Sequence, residues 1–249
     1  MLRCATWLAP GLPLGLFELL SSEIARALGT EATVESFTSA SGPDPDDDPF
    51  ARDEFDIGFV CTPSYRQLAL RAPASVQLVP AAPVFSDERN HGKPVYFVEL
   101  VARNGFEAVS LQDLVGARVG FNDERSLSGL LALEQQLEDH GVDGSSVTMV
   151  HTGGHQQSVA LLESGRLDAA SIDSNTLLAL GGLPDGLRVV ETWGPFPIQP
   201  IVARSSLLDT TCKIIADALL ALDRDSDTAR ALRRYRVERF APVSEADYR

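Results

Sequence analysis

Short apolar runs alternate with amphipathic helical patterns along this sequence, and that alternation constrains the fold more than any other feature. Apolar runs typical of strands cover residues 2–8, 32–38, 55–61, 76–81, 117–121, 147–151, 169–172 and 187–192. Helical spacing of apolar residues covers 14–28, 65–70, 127–140, 156–164, 175–180 and the whole C-terminal stretch 207–240. Strands that alternate with helices predict an α/β fold, with parallel sheets covered by helices on both faces.

Turn and capping residues indicate where several helices begin and end. Pro13 closes a turn at 9–13 and is placed to open the first helix, which Gly29 ends. Thr62 or Ser64 can cap the next helix.

Two long extended runs interrupt the alternation and resemble each other. VYFVELVARNG covers 95–105 and FPIQPIVARSS covers 196–206, and both contain Val-Ala-Arg. Chance repetition is one explanation. The other is that both runs are crossover strands, near Val98 and Ile198, between two Rossmann-like lobes.

The crossover interpretation defines the domains. Lobe one would consist of residues 1–95 plus 203–249, lobe two of residues 103–193, with hinge strands near 96–102 and 196–202. The C-terminal helices would pack on lobe one. Two lobes joined by two strands form a cleft suited to a small ligand and a hinge suited to closure.

The charge of the chain restricts its partners. The formal net charge is −14, with 44% hydrophobic and 22% charged residues among 249. This acidity argues against nucleic acid and anionic membrane surfaces, and no run is long and apolar enough for membrane insertion. A small anionic ligand stays compatible, because local donors act at contact distance while salt screens distant charges.

No pattern predicts a metal ion or another cofactor. The acidic run at 41–56 includes Asp44, Asp46, Asp47 and Asp48, but it lacks the central glycine and closing glutamate of an EF-hand, so a solvated loop is favoured. The three cysteines are widely spaced, at Cys4, Cys61 and Cys212. They are too sparse for disulfides or a metal site, and the histidines have no metal-binding spacing.

The opening residues faintly resemble a secretory signal peptide. Their apolar run is broken by Pro10, Gly11 and Pro13, and no small-x-small cleavage site follows before Glu18. A strand, a turn and a helix are therefore favoured. The chain as it stands is expected in the cytoplasm, or in the periplasm or outside the cell if a signal has been removed.

Candidate ligand contacts come from the strand-to-helix junctions, because ligands bind outside the carboxyl ends of parallel strands. After the strand at 117–121, Ser126 and Ser128 bracket a helix start, and Gly129 permits close backbone approach. Helix starts present free N–H groups that bind anions. A simple N-cap by one serine is the alternative.

The next two junctions offer further candidates. Gly153 and Gly154 bare the backbone before a helix, and His155 at the helix start adds a donor whose charge responds to pH. A purely structural histidine is the alternative. Asp173, after the strand at 169–172, either caps the following helix or accepts hydrogen bonds from a ligand.

Lobe one and the first crossover supply the remaining candidates. Thr62, Ser64, Tyr65 and Arg66 lie together after the third strand. Tyr96 lies in the first crossover, where its side chain either reaches a ligand in the cleft or packs in the core.

Three of these junctions together resemble a known family. Residues 122–129 read Asn-Asp-Glu-Arg-Ser-Leu-Ser-Gly, 152–155 read Thr-Gly-Gly-His with Ser158 after them, and 168–176 read Asp-Ala-Ala-Ser-Ile-Asp-Ser-Asn-Thr. In their order and spacing, these runs are similar to motifs of the phosphate and phosphonate substrate-binding proteins of ABC transporters. The resemblance covers about residues 55–205.

This resemblance implies the type II periplasmic binding protein fold and a set of ligand contacts. By resemblance, Ser126, Leu127, Ser128 and His155 would surround the oxygens of a phosphonyl group. Tyr96 would help to close over them.

Both lines of reasoning predict a binding protein for phosphate, a phosphonate or a phosphate ester, with an ABC permease or a signalling protein as partner. Gly154 stands where the family has a serine, which removes one hydroxyl donor. The alternative is an enzyme of the same fold, of the menaquinone-pathway type, acting on a small carboxylate. Asp173 and His155 would be its acid–base pair, but Ser128 lies in no nucleophile elbow. A regulatory protein with a vestigial cleft is a third interpretation.

Overall fold

The computed structural model describes residues 1–9, 11–38, 41–44 and 46–249. Pro10 of the predicted turn and Pro45 of the acidic run lie outside the described residues. Strands and helices alternate along the chain, as the sequence predicts.

The elements have the following bounds. The strands are β1 (Leu2–Thr6), β2 (Ala32–Ser36), β3 (Ile57–Phe59), β4 (Val76–Leu78), β5 (Ala81–Phe85), β6 (Val95–Arg103), β7 (Arg118–Phe121), β8 (Thr148–His151), β9 (Ala169–Asp173), β10 (Leu187–Pro197), β11 (Ile201–Arg204) and β12 (Val237–Pro242). The α-helices are α1 (Leu14–Ala27), α2 (Thr62–Ala69), α3 (Ala132–Asp139), α4 (His155–Glu163), α5 (Ser174–Ala179), α6 (Asp209–Leu219) and α7 (Ser226–Arg234). A π-helical turn, Leu127–Leu131, leads directly into α3.

The chain forms two compact units, and unit 1 consists of Met1–Val95 and Pro197–Arg249. Its five-stranded sheet has the order β2-β1-β3-β11-β4, and β5 pairs with β12 in a separate two-stranded ribbon. β1 is parallel to β2 and β3, whereas β11 is antiparallel to β3 and β4. The sheet is mixed and not wholly parallel as predicted, because the chain enters β11 from an extended segment and not from a crossover helix.

Unit 2 consists of Tyr96–Phe196 and has a five-stranded sheet in the order β10-β6-β9-β7-β8. β7 is parallel to β8 and β9, whereas β6 is antiparallel to β9. The register pairs Phe121 with His151, and Val98 with Asp173. The ends of β7, β8 and β9 and the beginning of β6 therefore lie at one edge of this sheet, which we call the carboxyl edge.

A buried apolar cluster holds the helices of unit 2 on the sheet. Its members are Val101, Val159, Leu162, Leu167, Ala170, Ile172, Leu177 and Leu187. Full burial of one such leucine contributes about 2 kcal/mol. Gly120 of β7 is needed for this packing, because a Cβ there would lie 2.4 Å from Cδ1 of Leu167. The cluster includes residues of α4 and α5, so it fixes where these helices begin at the carboxyl edge.

Helix α2 corrects one prediction about capping. It begins at Thr62, its N-cap is Cys61, and no side chain makes a capping hydrogen bond. Thr62 and Ser64 lie inside the first turn, so neither caps the helix. Pro63 fits this turn because its missing N–H would have no helical partner there.

The C-terminal stretch is not helical throughout. Helix α7 ends at Arg234, Arg236 has a φ of 62°, and Val237–Pro242 forms β12. The left-handed conformation of Arg236 stops the helix. The apolar spacing of Val237 and Phe240 suits a helix as well as a strand, and antiparallel pairing with β5 decides the outcome.

Candidate functional site

The helix start after β7 is a π-helical turn capped by a serine. Oγ of Ser126 accepts a hydrogen bond from the N–H of Gly129 at 3.1 Å. The N–H groups of Leu130 and Leu131 both reach the carbonyl of Ser126, at 3.2 Å. The N–H groups of Leu127 and Ser128 precede these bonds and lie in the first turn, where N–H groups have no helical partner. Single π-turns occur frequently at functional sites.

Asn122, which the sequence analysis did not select as a site residue, packs against this turn. A Cβ at Gly129 would lie 1.8 Å from Oδ1 of Asn122, so only glycine fits there. Asn122 is 3% exposed, and its Oδ1 has no hydrogen-bond partner among the described residues. A buried acceptor without a partner is unusual and is a feature of ligand sites. The sequence signal that could have identified Asn122 is its position at the start of the run 122–129, which resembles a family motif.

The loop between β8 and α4 contains the predicted pair of glycines. Gly153 has a φ of 81°, a left-handed conformation that favours glycine. Gly154 is extended and provides no side-chain cap. Oγ1 of Thr152 lies 3.0 Å from the carbonyl of Phe121 and 2.7 Å from Oγ of Ser158. These bonds fix the loop. No side chain caps the first N–H groups of α4.

His155 begins α4 and contacts Ser128 across the carboxyl edge. Its Nε2 lies 3.1 Å from Oγ of Ser128, and the residue is 5% exposed. Burial lowers the pKa of the imidazole to about 4, and the nearby backbone of Ser171 opposes this shift only in part. Nδ1 makes no hydrogen bond of good geometry within the described residues. The ring is therefore neutral at neutral pH, and its charge responds to pH only under acidic conditions.

The end of β9 brings further polar side chains to the carboxyl edge. Asp173 is buried and caps α5, because its Oδ1 accepts from the N–H of Asn175 at 2.7 Å. Asp173 therefore has the capping role that one of its two interpretations predicts, and contact with a ligand stays a prediction. Asn175 is 1% exposed, and neither Oδ1 nor Nδ2 has a partner among the described residues. Sequence reasoning missed Asn175, since its position after a cap suggested only a helix residue.

Tyr96 lies at the beginning of β6 and hence at the same edge. The pairing of Val98 with Asp173 sets this position. Tyr96 is fully buried, and its ring centroid lies 6.0 Å from that of Phe196. Tyr96 therefore packs in the core, as one of its two interpretations predicts. The strand pairing also places it near the end of β9.

The candidates from lobe one belong to α2 in unit 1. Thr62 and Ser64 are buried, and neither hydroxyl has a partner among the described residues. The ring of Tyr65 meets that of Tyr248 edge to face, with centroids 5.6 Å apart, and burial raises the pKa of its phenol. Arg66 is exposed.

The described residues contain no cluster of histidine, cysteine, aspartate or glutamate that could hold a metal ion. None of their helices combines the length and apolar character needed to cross a membrane. The donors at the carboxyl edge are thus backbone N–H groups, hydroxyls and a neutral imidazole.

The sequence profile of one protein family matches residues 17–248. The family is described as ABC transporter, phosphonate, periplasmic substrate-binding protein. The match includes every candidate residue in both units.

Solved structures share the fold at low sequence identity. A binding protein component of an ABC phosphonate transporter from Pseudomonas aeruginosa has a TM-score of 0.80 at 16% identity, covering 99% of this chain and 82% of that one. PhnD1 from Prochlorococcus marinus, in complex with methylphosphonate, has a TM-score of 0.80 at 20% identity, covering 100% and 94%. An ancestral arginine-binding protein bound to arginine has a TM-score of 0.61 at 18% identity, covering 94% and 97%. The predicted fold class, two α/β lobes of the type II periplasmic binding protein kind, is confirmed.

Proposed function

Because the chain belongs to the family of periplasmic substrate-binding proteins of phosphonate ABC transporters, we propose that it binds a phosphonate at the carboxyl edge of unit 2. The family and the similar structures are substrate-binding transport proteins and not enzymes, which leaves the enzyme alternative without support. The observation that carries the proposal is the buried contact of 3.1 Å between Ser128 and His155 beside a helix start.

The Ser128–His155 pair supplies a free hydroxyl donor to an anion in one tautomer of the ring. With the proton on Nε2, the imidazole donates to Oγ of Ser128, and the hydroxyl proton of Ser128 is free for the ligand. With the proton on Nδ1, Ser128 donates to Nε2, and its hydroxyl proton is not available to the ligand. Since the ring is neutral at neutral pH, the pair brings no charge of its own.

Backbone groups complete the proposed anion site. The N–H groups of Leu127 and Ser128 and those at the start of α4 carry the positive ends of helix dipoles. In a buried setting such donors stabilise an oxyanion more strongly than they would in water. Gly154 leaves room where a serine hydroxyl would otherwise donate, and we infer that the ligand makes one hydroxyl contact fewer there.

The remaining predicted contacts are part of the same proposal. In unit 2 they are Ser126, Gly129, Gly153, Asp173 and Tyr96, and in unit 1 they are Ser64 and Tyr65. Phosphate and phosphate esters are further candidate ligands, because they present the same tetrahedral oxygens as a phosphonate.

The partner and the compartment follow from the proposed role. We propose that the loaded protein delivers its ligand to an ABC permease and that it works in the periplasm, as the description of its family suggests. A signalling protein is the alternative partner.

Calorimetric titration tests the function directly. The panel contains methylphosphonate, 2-aminoethylphosphonate, phosphite, phosphate and glycerol 3-phosphate, with sulfate and succinate as outgroups. We expect saturable binding of at least one phosphonate, which phosphorus NMR then recovers unchanged after incubation. If succinate alone binds and is consumed, the chain acts as an enzyme and the proposal is wrong.

A further inference from the structure

Ser171 is a polar residue in the middle of a buried strand. It lies in β9, pairs with Leu100 of β6 and is fully buried. A hydroxyl in such a place costs free energy unless it finds a hydrogen-bond partner.

The partner of the Ser171 hydroxyl is part of the ligand site. Oγ of Ser171 donates to the carbonyl oxygen of Ser128 at 2.7 Å, and both residues are at most 2% exposed. This bond ties the π-helical turn Leu127–Leu131 to the central strand β9. It fixes the backbone of Ser128 directly, and therefore the direction in which the Ser128 side chain leaves that backbone.

Ser171 also influences the second member of the pair. Its backbone raises the pKa of the His155 imidazole, against the larger lowering by burial. One residue of β9 thus bonds to the backbone of Ser128 through its hydroxyl and favours the charged form of the His155 ring through its main chain. Ser128 and His155 in turn meet at 3.1 Å.

We propose that Ser171 is a positioning residue for the anion site, which holds Ser128 so that its hydroxyl is aligned with Nε2 of His155 and with the ligand. The inference rests on the proposed function for its effect on binding. Without the Ser171 hydroxyl, the carbonyl of Ser128 loses its anchor, and the turn can rotate away from His155. Ser171 itself does not touch the ligand in this scheme.

A double-mutant cycle separates positioning from a merely structural role. The variants are Ser171→Ala, Ser128→Ala and the double substitution, titrated with methylphosphonate. We expect Ser171→Ala to weaken binding about three- to tenfold, in line with the loss of one buried hydrogen bond. Because Ser171 acts in part through the Ser128 hydroxyl, the double variant should lose less affinity than the product of the two single losses. If the two losses multiply, Ser171 acts independently of Ser128 and the proposal is wrong.

Two further variants control for stability and chemistry. Ser21→Ala removes another fully buried serine hydroxyl, on α1 in unit 1, and should leave the affinity for methylphosphonate unchanged. Ser171→Cys keeps a weaker donor of similar size and should bind between the wild type and Ser171→Ala. An affinity for Ser171→Cys as low as that of Ser171→Ala would contradict the role of the donated bond.

Nitrogen-15 NMR of the histidine rings tests positioning without any ligand. We expect Ser171→Ala, but not Ser21→Ala, to shift the Nε2 and Nδ1 resonances assigned to His155 through their loss in His155→Gln. Unchanged resonances would overturn the proposal. If the wild type binds no phosphorus oxyanion while these resonances do shift, the proposed function fails and the positioning role of Ser171 stands.

Discussion

Arg103 and Arg204 occupy the same place in the two sheets of the molecule. Arg103 ends β6 and Arg204 ends β11, and each pairs with an aspartate that directly precedes the neighbouring strand. Arg103 reaches Asp168 at 2.8 Å, and Arg204 reaches Asp56 at 2.9 Å. The repeated Val-Ala-Arg of the sequence therefore has the same structural task in both units.

A second arginine completes each cluster. The backbone N–H of Arg118 donates to Asp168 at 2.9 Å, and that of Arg3 donates to Asp56 at 2.8 Å. In both cases the guanidinium of the same arginine also binds the carboxylate. Each aspartate thus joins the beginning of a parallel strand to the end of an antiparallel one, at the edge of the sheet opposite the carboxyl ends of the parallel strands.

Asp168→Asn should destabilise the protein without changing ligand affinity. Hydrogen bonds from Arg118, followed by those from Arg103, hold the pKa of the Asp168 carboxyl well below its usual range. Both arginines are partly exposed, so we expect a loss of about 1–3 kcal/mol, below the value for a fully buried pair. The stabilisation is present above the unfolded pKa of about 3.9 and is lost as the pH falls through the lower folded value.

Urea unfolding at pH 7 measures the effect of Asp168→Asn. Asp227→Asn is the control, because Asp227 forms an exposed ion pair with Arg230 on α7 and should change little. Equal losses in the two variants would show that the burial of Asp168 does not matter.

His155 should make the free energy of unfolding depend on pH in a defined window. Its folded pKa of about 4 lies below the unfolded value of about 6.5. As the pH falls from about 6.5 to 4, the unfolded chain takes up a proton that the folded chain does not, so stability falls by up to about 3 kcal/mol. Above pH 6.5, His155 should contribute no pH dependence.

Urea unfolding at pH 7 and pH 4.5 isolates this contribution. The difference between the two pH values should be smaller in His155→Gln than in the wild type. The exposed His140 provides the control, and His140→Gln should behave as the wild type does. A difference that persists unchanged in His155→Gln would mean that other groups cause it.

Ser128→Ala should weaken binding of methylphosphonate by about 1–3 kcal/mol, the range for one hydrogen bond to a charged group. The variant removes a hydroxyl at the carboxyl edge and leaves no charge uncompensated. Ser226→Ala, at an exposed position on α7, is the matched control and should bind as the wild type does. If calorimetry finds equal affinities in both variants, Ser128 does not bind the ligand and the prediction is wrong.

Gly129→Ala should destabilise the π-helical turn and weaken binding together. The added Cβ would lie 1.8 Å from Oδ1 of Asn122, so the turn or the asparagine must move, at about 1–3 kcal/mol. Adding Asn122→Ala should restore part of the stability. Gly144→Ala is the control, because no atom lies within 4 Å of its added Cβ. Equal melting temperatures of Gly129→Ala and Gly144→Ala in thermal unfolding would contradict this prediction.

Local signals explain why the helix starts at the carboxyl edge could be predicted from sequence. Ser126 caps its turn through its own side chain, and Gly153 takes a conformation that other residues avoid. Asp173 likewise bonds to an N–H two residues further on. Such contacts lie within a few residues, so the pattern of residue types suffices to place them.

Long-range contacts explain what the sequence did not reveal. The role of Ser171 depends on a carbonyl 43 residues away, and that of Asn122 on the packing of Gly129 across the turn. Strand β5 contains Pro83, which lowers the strand signal, and its partner β12 lies at the far end of the chain. Sequence periodicity carries no information about such pairings.

A bound phosphonate should raise the melting temperature and draw the two lobes together. The ligand binds the folded chain and not the unfolded one, so at a hundredfold excess over Kd it adds about 2.7 kcal/mol to the free energy of unfolding. Closure, with hinge strands near 96–102 and 196–202, stays a prediction from the sequence, and it requires the ligand to bind the closed state more tightly than the open one. Scanning fluorimetry measures the first effect, and a smaller radius of gyration in solution scattering measures the second. Ser128→Ala at the same methylphosphonate concentration should show a smaller change in both. A rise in melting temperature with an unchanged radius of gyration would support phosphonate binding and contradict closure about the hinge.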